Sequence, residues 1–133
     1  MVSRALIPAA GRGFRAYPKS KHTPKVLLPV DGKPIVQRNV ELLRDSLGIR
    51  DITVIVGYGK DQIKDYLGDG DRFGVSLKYL DCAQPGLGLA RGMLLAKECF
   101  DEPFVTILGD EIYLDSNHHE IQSLADSSFD AIC

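Results

Sequence analysis

Short apolar runs alternate with amphipathic segments along this chain, and the pattern predicts its secondary structure. Mainly apolar and β-branched runs predict strands over residues 4–8, 52–56, 75–80 and 104–108. The continuous β-branched run at 52–56 is typical of a strand that is covered on both faces of a parallel sheet. A short extended segment over 26–30 leads into a turn at Asp31-Gly32, and one more strand is expected over 129–133.

Helical periodicity separates these runs. Pro34 fits the first turn of a helix, and apolar residues then recur at helical spacing at Val36, Val40, Leu43 and Leu47. Shorter helices are predicted after Gly59, after Gly88 and between 115 and 125. The helix after Gly88 should turn inward Leu89, Met93, Ala96 and Phe100. The alternation of strands and helices predicts a Rossmann-like three-layer α/β/α sandwich with a mostly parallel sheet.

The 133 residues are enough for one domain with its own core. Hydrophobic residues make up 44% and charged residues 26% of the chain, which is typical of a soluble globular protein and excludes a disordered one. The last predicted strand ends on the final residue with nothing after it to cover the sheet. We therefore expect residues 1–133 to be one unit that is truncated at its C-terminus.

The net charge of −2 conceals a strong asymmetry along the chain. Residues 1–50 hold ten Lys or Arg against three acids, whereas residues 51–133 hold six against fifteen. Because the positive charge clusters around one loop, a small anionic ligand is favoured over nucleic acid. No apolar run is long enough to span a membrane, and no signal peptide is recognisable. The widely spaced Cys82, Cys99 and Cys133 indicate reduced thiols, so a cytoplasmic location is expected.

The loop over residues 11–25 is the most informative segment. Between Arg12 and Lys25 it carries five cations and no carboxylate. The small residues that surround its start let the backbone approach a ligand closely, with N–H groups free to donate: Ala9, Ala10, Gly11 and Gly13. Arg15 adds a planar fork and Lys25 a point charge, so the loop suits several phosphates at once. It predicts a triphosphate site.

A dinucleotide-binding loop is the competing interpretation. Residues 11–16 match the loose fingerprint G-x-G-x-x-A, and Asp31 lies twenty residues after Gly11. That fingerprint requires a helix that begins at the glycines. Pro18 and Pro24 oppose a continuous helix there. A P-loop is excluded because no Gly-Lys-Ser or Gly-Lys-Thr follows the glycines.

Two further features fall where predicted strands end, which is the edge at which open parallel sheets bind ligands. Asp110 follows an apolar strand and is a candidate Mg²⁺ ligand. Mg²⁺ typically takes one or two protein carboxylates and fills its other positions with water or phosphate oxygens. The alternative is that Asp110 only stabilises a turn or caps a helix. Glu111 can face either the crevice or solvent. The side-chain amide of Gln84 carries a donor and an acceptor that suit the edge of a nucleotide base, and Gly88 can supply a backbone amide to the same base. The alternative interpretation, that Gln84 is only a solvated surface residue, is equally open.

Taken in order, these segments resemble the sugar-1-phosphate nucleotidylyltransferases, the family of glucose-1-phosphate thymidylyl- and uridylyltransferases. The family signature is a strand, Gly-x-Gly-Thr-Arg, a variable stretch, Pro-Lys, an apolar strand and a Lys-Pro turn. The matching segments here are residues 11–15, Pro24-Lys25, 26–30 and Lys33-Pro34, with Gln84-Pro85, Gly88 and Gly109-Asp110 further along.

The resemblance implies transfer of a nucleoside monophosphate from a nucleoside triphosphate to a sugar-1-phosphate, with release of pyrophosphate. It implies that Arg15 holds the β- and γ-phosphates, that Lys25 binds near the α-phosphate and the incoming sugar phosphate, and that Asp110 coordinates Mg²⁺. It assigns base contacts to Gln84 and Gly88. Nucleotide contacts through the backbone are assigned to Ala9, Ala10, Gly11 and Gly13.

The chain also departs from the family. Phe14 replaces a small hydroxyl residue, Glu111 stands where Asn or Asp is frequent, and the later half of the family, with a second metal-binding aspartate and most sugar contacts, is missing. We therefore expect weak nucleotide binding and slow turnover from these 133 residues. Two alternatives remain: a cytidylyltransferase acting on another phosphorylated alcohol such as phosphocholine, and a non-catalytic domain that senses nucleotide sugars. Assembly into a homo-oligomer is possible in such a family, while no nucleic-acid or membrane partner is expected.

Overall fold

The computed structural model of the chain describes residues 1–84, 86, 88–125 and 130–131. Its strands and helices, in chain order, are β1 (Arg4–Ala9), β2 (Pro29–Val30), β3 (Lys33–Pro34), α1 (Ile35–Leu47), β4 (Asp51–Val56), α2 (Lys60–Leu67), β5 (Ser76–Asp81), α3 (Leu89–Leu94), β6 (Val105–Thr106) and α4 (Ile121–Leu124). Strands β2 and β3 form a small antiparallel hairpin. The other four form one parallel sheet in the order β5-β4-β1-β6.

Strand β1 lies inside this sheet and pairs on both sides. Its register with β4 runs from Arg4 opposite Asp51 to Ala9 opposite Val56. On the other side Ala5 and Leu6 pair with β6, and the ladder continues because the Gly109 amide donates to the Pro8 carbonyl at 3.1 Å. The chain leaves β1 towards β4 and β5 and then returns past β1 to β6. The strand order therefore reverses between β1 and β6, where open α/β sheets form their ligand crevice.

Both faces of the sheet are covered, as the apolar runs predicted. Neighbouring residues of β1 point to opposite faces: Ile7 belongs to a large core cluster with α1 and α2, whereas Leu6 packs with Ile55 and Ala96 beneath the α3 segment. Helix α1 buries the predicted stripe of Val36, Val40, Leu43 and Leu47. The predicted Rossmann-like α/β/α architecture with a parallel sheet is confirmed.

Several predicted elements are shorter than expected. The strand predicted over 104–108 has regular strand structure only at Val105–Thr106, although the Ile107 and Gly109 amides still donate to carbonyls of β1. Phe104 lies outside the strand and stacks on Phe100 at a ring distance of 4.1 Å. Helix α3 ends at Leu94, where the next turns tighten into 3₁₀ hydrogen bonds. Of the residues predicted to face inward, Ala96 is buried and Met93 and Phe100 pack beside it, but Leu89 is 49% exposed. Pro34 pairs in β3 and caps α1 instead of lying in its first turn.

The C-terminal predictions have a mixed outcome. The helix predicted between 115 and 125 is a 3₁₀ turn at His118–Glu120 followed by the short α4. Phe129, Ile132 and Cys133, which belong to the last predicted strand, lie outside the described residues. Cys82 and Cys99 are free thiols. Within the described ranges, every helix is too short or too polar to cross a bilayer.

The packing of α1 against the sheet should dominate the stability of the domain. Leu43 is 0% exposed in α1, whereas Leu94 is 66% exposed in α3. We expect Leu43→Ala to lower the free energy of unfolding by about 2–5 kcal/mol, since truncation loses buried area and leaves a cavity. The matched control Leu94→Ala should change it by less than about 0.5 kcal/mol. Urea denaturation followed by circular dichroism measures both, and equal effects would contradict this view of the core.

Candidate active site

A cavity of about 590 Å³ opens at the carboxyl edge of the sheet, where the strand order reverses. The loop after β1, the residues after β6 and the start of α3 form its walls. Eight of the nine predicted site residues line it: Ala9, Ala10, Gly11, Gly13, Arg15, Lys25, Gly88 and Asp110. The structure thus brings together the cation-rich loop and the acid that follows β6.

The loop after β1 contains three 3₁₀ turns, at Phe14–Ala16, Lys19–Lys21 and Lys25–Leu27. No helix begins at the glycines, since the first α-helix starts only at Ile35. The dinucleotide-binding interpretation requires such a helix. The local structure therefore argues against it, as the two prolines suggested.

Gly13 allows the loop to return close to its own start. Its φ of 65° is left-handed, and a Cβ atom there would lie 3.0 Å from the Cβ of Lys25. The fully buried Ser20 holds this crossing, because its hydroxyl donates to the Gly13 carbonyl at 2.5 Å. Lys25 is thereby placed beside the glycine segment, ten residues or more away from it along the chain.

Lys25 and Asp110 form an ion pair within the cavity, between Nζ and Oδ2. Their side chains are 28% and 40% exposed, so both remain accessible to a ligand. The close approach of β6 to β1 requires Gly109, because a Cβ atom there would lie 2.8 Å from the Pro8 carbonyl oxygen. The paired strands therefore bring Asp110 to the loop that carries Lys25.

Asn39 supports the end of β6 from below. It is only 1% exposed in α1, and its side-chain amide donates to the Leu108 carbonyl at 3.0 Å. This carbonyl lies two residues before Asp110. Buried polar groups of this kind fix a backbone position because leaving them unpaired is costly. Helix α1 thus holds the backbone two residues before Asp110 through one hydrogen bond.

The cations of the loop occupy different environments. Arg15 lines the cavity and makes no ion pair or hydrogen bond within the part of the chain that is described. Arg12 does not line it; its guanidinium lies 5.8 Å from the ring centres of both Phe14 and Tyr58. Phe14 is 63% exposed at the cavity wall and packs against Tyr17. Both aromatics are exposed and lie outside the core, and of the two only Phe14 lines the cavity.

Gln84 is the predicted site residue that the cavity does not include. It is exposed and is not among the described lining residues, whereas Gly88 and Leu89 are. Cys82, at the end of β5, also lines the wall beneath this segment. The base-reading role of Gln84 stays a prediction, since the present arrangement does not place its side chain in the cavity.

Glu111 lies outside the cavity lining and is solvent-exposed. It accepts a hydrogen bond of 2.8 Å from the hydroxyl of Tyr113. Burial is the main cause that raises the pKa of Tyr113 to about 12, and the hydrogen bond to Glu111 is the second. The phenol is therefore a protonated donor at neutral pH and holds this carboxylate on the solvent side.

The donor set suits a Mg²⁺ ion that is bound together with phosphate. No cluster of three or more His, Cys, Asp or Glu occurs within the described residues, so a complete protein cage for a metal is not built there. Mg²⁺ typically uses one or two carboxylates and leaves its other positions to water and phosphate oxygens. Asp110, a partly exposed carboxylate on a cavity that also carries two cations, fits that requirement.

Sequence reasoning missed Ser20 and Asn39. Asn39 carried a visible signal, because it lies four residues after Ile35 and four before Leu43, on the apolar stripe of α1. A polar residue on a buried stripe is expected to have a specific partner. Ser20 carried none, since it lies among lysines in a loop.

Comparisons with known proteins find similarity over most of the chain. The family model described as "Nucleotidyl transferase" matches residues 4–131. Glucose-1-phosphate thymidylyltransferase of Streptomyces griseus is 37% identical over 108 residues, which cover 80% of this chain and 30% of that protein. Choline-phosphate cytidylyltransferase of Streptococcus pneumoniae is 44% identical, but over only 78 residues, 59% of this chain and 32% of the relative.

A solved structure from Bacillus anthracis, described as a glucose-1-phosphate thymidylyltransferase in complex with sucrose, superposes with a TM-score of 0.86 at 31% identity. The match covers 96% of this chain and 52% of that one. The chain thus spans about half of this neighbour and about a third of the two curated relatives.

The bond between α1 and the end of β6 can be tested by stability. We expect Asn39→Ala to lower the free energy of unfolding by about 1–3 kcal/mol, because the partly buried Leu108 carbonyl loses the donor that the buried Asn39 side chain supplies. Asn117→Ala is the matched control, since its side chain donates to Glu120 at the surface and its loss should cost less than about 0.5 kcal/mol. Denaturant titration of both variants measures the difference. A similar small effect in both would show that the Asn39 bond contributes little.

Proposed function

The chain belongs to the nucleotidyl transferase family, and on that premise we propose that residues 1–133 form the nucleotide-binding part of a sugar-1-phosphate nucleotidylyltransferase. The reaction transfers a nucleoside monophosphate from a nucleoside triphosphate to a sugar-1-phosphate and releases pyrophosphate. One observation carries the proposal: Lys25, Arg15 and Asp110 line a single cavity, and Lys25 contacts Asp110.

For this reaction a protein has to hold the two substrates in position and to stabilise their negative charge. Two anions must approach each other, and the sugar-phosphate oxygen must attack the α-phosphorus in line with the departing pyrophosphate. Phosphoryl-type transfer depends mainly on positioning and on stabilising negative charge. In our proposal Arg15 binds the β- and γ-phosphates with its guanidinium fork, and Lys25 stabilises charge at the α-phosphate and the incoming phosphate.

The backbone around Gly11 completes the phosphate site in this proposal. Ala9, Ala10, Gly11 and Gly13 line the cavity with small side chains or none, so their backbone can approach the nucleotide closely. Asp110 would hold Mg²⁺, which when bound neutralises charge on the phosphates and on the leaving pyrophosphate. Lys25 and Asp110 need no covalent chemistry for these roles.

Base recognition is proposed at the second loop. Gly88 lines the cavity and can offer its backbone amide, while Gln84 would have to turn inward from its exposed position to contact a base. The identity of the base therefore stays open among UTP, dTTP, CTP and GTP. A cytoplasmic location and assembly into a homo-oligomer also stay predictions.

The sugar-1-phosphate acceptor is favoured over phosphocholine by the extent of similarity. The thymidylyltransferase sequence match extends over 80% of this chain. Among the solved structures, the Bacillus anthracis neighbour covers 96% of this chain with a TM-score of 0.86, whereas a CTP:phosphocholine cytidylyltransferase from Streptococcus pneumoniae covers 88% with a TM-score of 0.72. The choline-phosphate relative matches over 59%. A non-catalytic sensor is disfavoured because Arg15, Lys25 and Asp110 are all present and converge, although Phe14 at the cavity wall departs from the family motif.

Titration and turnover test the proposal together. Each of the four triphosphates is titrated into the chain with and without Mg²⁺ by calorimetry, and pyrophosphate release is then assayed with sugar-1-phosphates and with phosphocholine. Mg²⁺-dependent triphosphate binding is expected, with weak affinity and little turnover from these 133 residues. Release that requires phosphocholine would favour the cytidylyltransferase alternative. Absence of any triphosphate binding would overturn the proposal.

The two ion-pair partners provide the sharpest prediction. In a full-length enzyme containing this domain, Lys25→Ala and Asp110→Ala should each lower turnover by on the order of 10²-fold or more, comparable to losing one electrostatic stabiliser. In the chain itself both should weaken Mg²⁺-dependent triphosphate binding. Lys33→Ala is the control, since Lys33 pairs with Glu41 at 2.6 Å outside the cavity. Near-normal turnover in either cavity variant would refute these roles.

A further inference from the structure

The turn between β4 and α2 touches both limbs of the loop that follows β1. We define the outgoing limb as residues 10–13 and the returning limb as residues 18–25. Tyr58, in the middle of the turn, contacts each of them. Its backbone amide donates to the Ala10 carbonyl at 3.2 Å on the outgoing limb. Its hydroxyl donates to the Lys21 carbonyl at 2.5 Å on the returning limb, with the Ser20 carbonyl at 3.3 Å.

Two neighbouring contacts reinforce this connection. The guanidinium of Arg12, on the outgoing limb, lies 5.8 Å from the centre of the Tyr58 ring, within the range of a cation–π interaction. Gln62, in the first turn of α2, donates its side-chain amide to the His22 carbonyl at 3.1 Å. The turn and the first part of α2 thus contact the outgoing and returning limbs at five residues.

The two phosphate-binding cations depend on both limbs. Arg15 lies two residues after the outgoing limb and Lys25 ends the returning limb, and both line the cavity. The distance between their charges is therefore set by how the limbs are held together. A loop that is ordered before binding does not lose that conformational entropy when the ligand arrives.

We propose that Tyr58 is a positioning residue that clasps the two limbs and so pre-sets the spacing of Arg15 and Lys25 for a triphosphate. The inference rests on the proposed function and deepens it. Tyr58 is not a lining residue of the cavity. It acts through the loop, so its effect should fall on phosphate binding and not on binding of the base or the ribose.

The hydroxyl can be removed without removing the ring. Tyr58→Phe deletes the hydroxyl bond to the returning limb but keeps the backbone bond to Ala10 and the ring beneath Arg12. Tyr79→Phe is a matched control, because Tyr79 also donates its hydroxyl to a backbone carbonyl, that of Gly68, at 2.5 Å. Tyr79 lies in β5 and does not line the cavity.

The first measurement compares a nucleoside triphosphate with its own nucleoside. Whichever of UTP, dTTP, CTP or GTP binds most tightly in the presence of Mg²⁺ is titrated by calorimetry into wild type and both variants, and so is the matching nucleoside. Tyr58→Phe should weaken triphosphate binding by about 3- to 10-fold, the effect of one net hydrogen bond. Nucleoside binding should change by less than about twofold, and Tyr79→Phe should alter neither ligand.

A second measurement needs no ligand. The amides of Ala16 and Lys21 are hydrogen-bonded within the loop, to the Gly13 and Pro18 carbonyls. In Tyr58→Phe their hydrogen exchange should be faster, while exchange in β4 should stay unchanged, since the loss is local and not global unfolding.

The outcomes separate the clasp from the proposed function. An unchanged ratio of triphosphate to nucleoside affinity in Tyr58→Phe, or unchanged exchange at Ala16 and Lys21, overturns the clasp. Equal weakening of both ligands overturns it as well, because that pattern indicates general destabilisation. A wild-type chain that does not prefer triphosphate over nucleoside overturns the proposed function instead, while the exchange experiment still decides whether Tyr58 holds the loop.

Discussion

The pairing of β6 with β1 is the constraint on which the rest of the site depends. Because both strands are parallel and adjacent, their carboxyl ends reach the same edge of the sheet, and the chain that follows each one opens into the same crevice. Gly109 permits this approach, since its Cα hydrogen faces the Pro8 carbonyl where a methyl group would not fit. This contact brings Asp110 next to the cationic loop. Lys25 and Asp110, which are 85 positions apart in the sequence (110 − 25), thus become neighbours in one cavity.

The five cations of the loop cannot be told apart from the sequence, but the fold places them in different surroundings. Of the five loop cations, only Arg15 and Lys25 line the cavity in the described chain; Arg12 rests against aromatic rings, and Lys19 and Lys21 are exposed. Backbone geometry explains the selection. The left-handed Gly13 and the buried Ser20 bond turn the loop back on itself, which brings Lys25 inward. A count of cations indicates an anionic ligand, but the turn that Gly13 and Ser20 make determines which of them can contact it.

The sequence predicted what depends on local pattern and less of what depends on tertiary contact. The strand at 52–56 and the buried stripe of α1 were predicted well, because each leaves a recognisable pattern in the sequence. A strand that is buried on both faces appears as a continuous apolar run, and a helix that is buried on one face shows apolar residues at a spacing of three or four. The run at 104–108 was predicted too long, since its Phe104 packs on Phe100 instead of continuing the ladder. Eight of nine candidate site residues line the cavity, because strand ends and glycine loops locate such sites. Ser20 and Tyr58 act through hydrogen bonds to backbone carbonyls, which leave no pattern in one sequence.

These backbone bonds also explain how a cluster of like charges can be kept in a defined shape. Five cations and no acid between Arg12 and Lys25 repel one another, and an unsupported loop of this kind would be expected to expand. Here the opposing contacts are short-range and directional: Ser20 to Gly13, Tyr58 to both limbs, and Asp110 to Lys25. Ser20 is a neutral residue of the loop, whereas Tyr58 and Asp110 come from other parts of the fold, so none of these contacts adds positive charge. A polyanionic ligand would remove the repulsion that these contacts oppose. The protein therefore holds this loop before binding, and in the proposed function the phosphates of a triphosphate would hold it further.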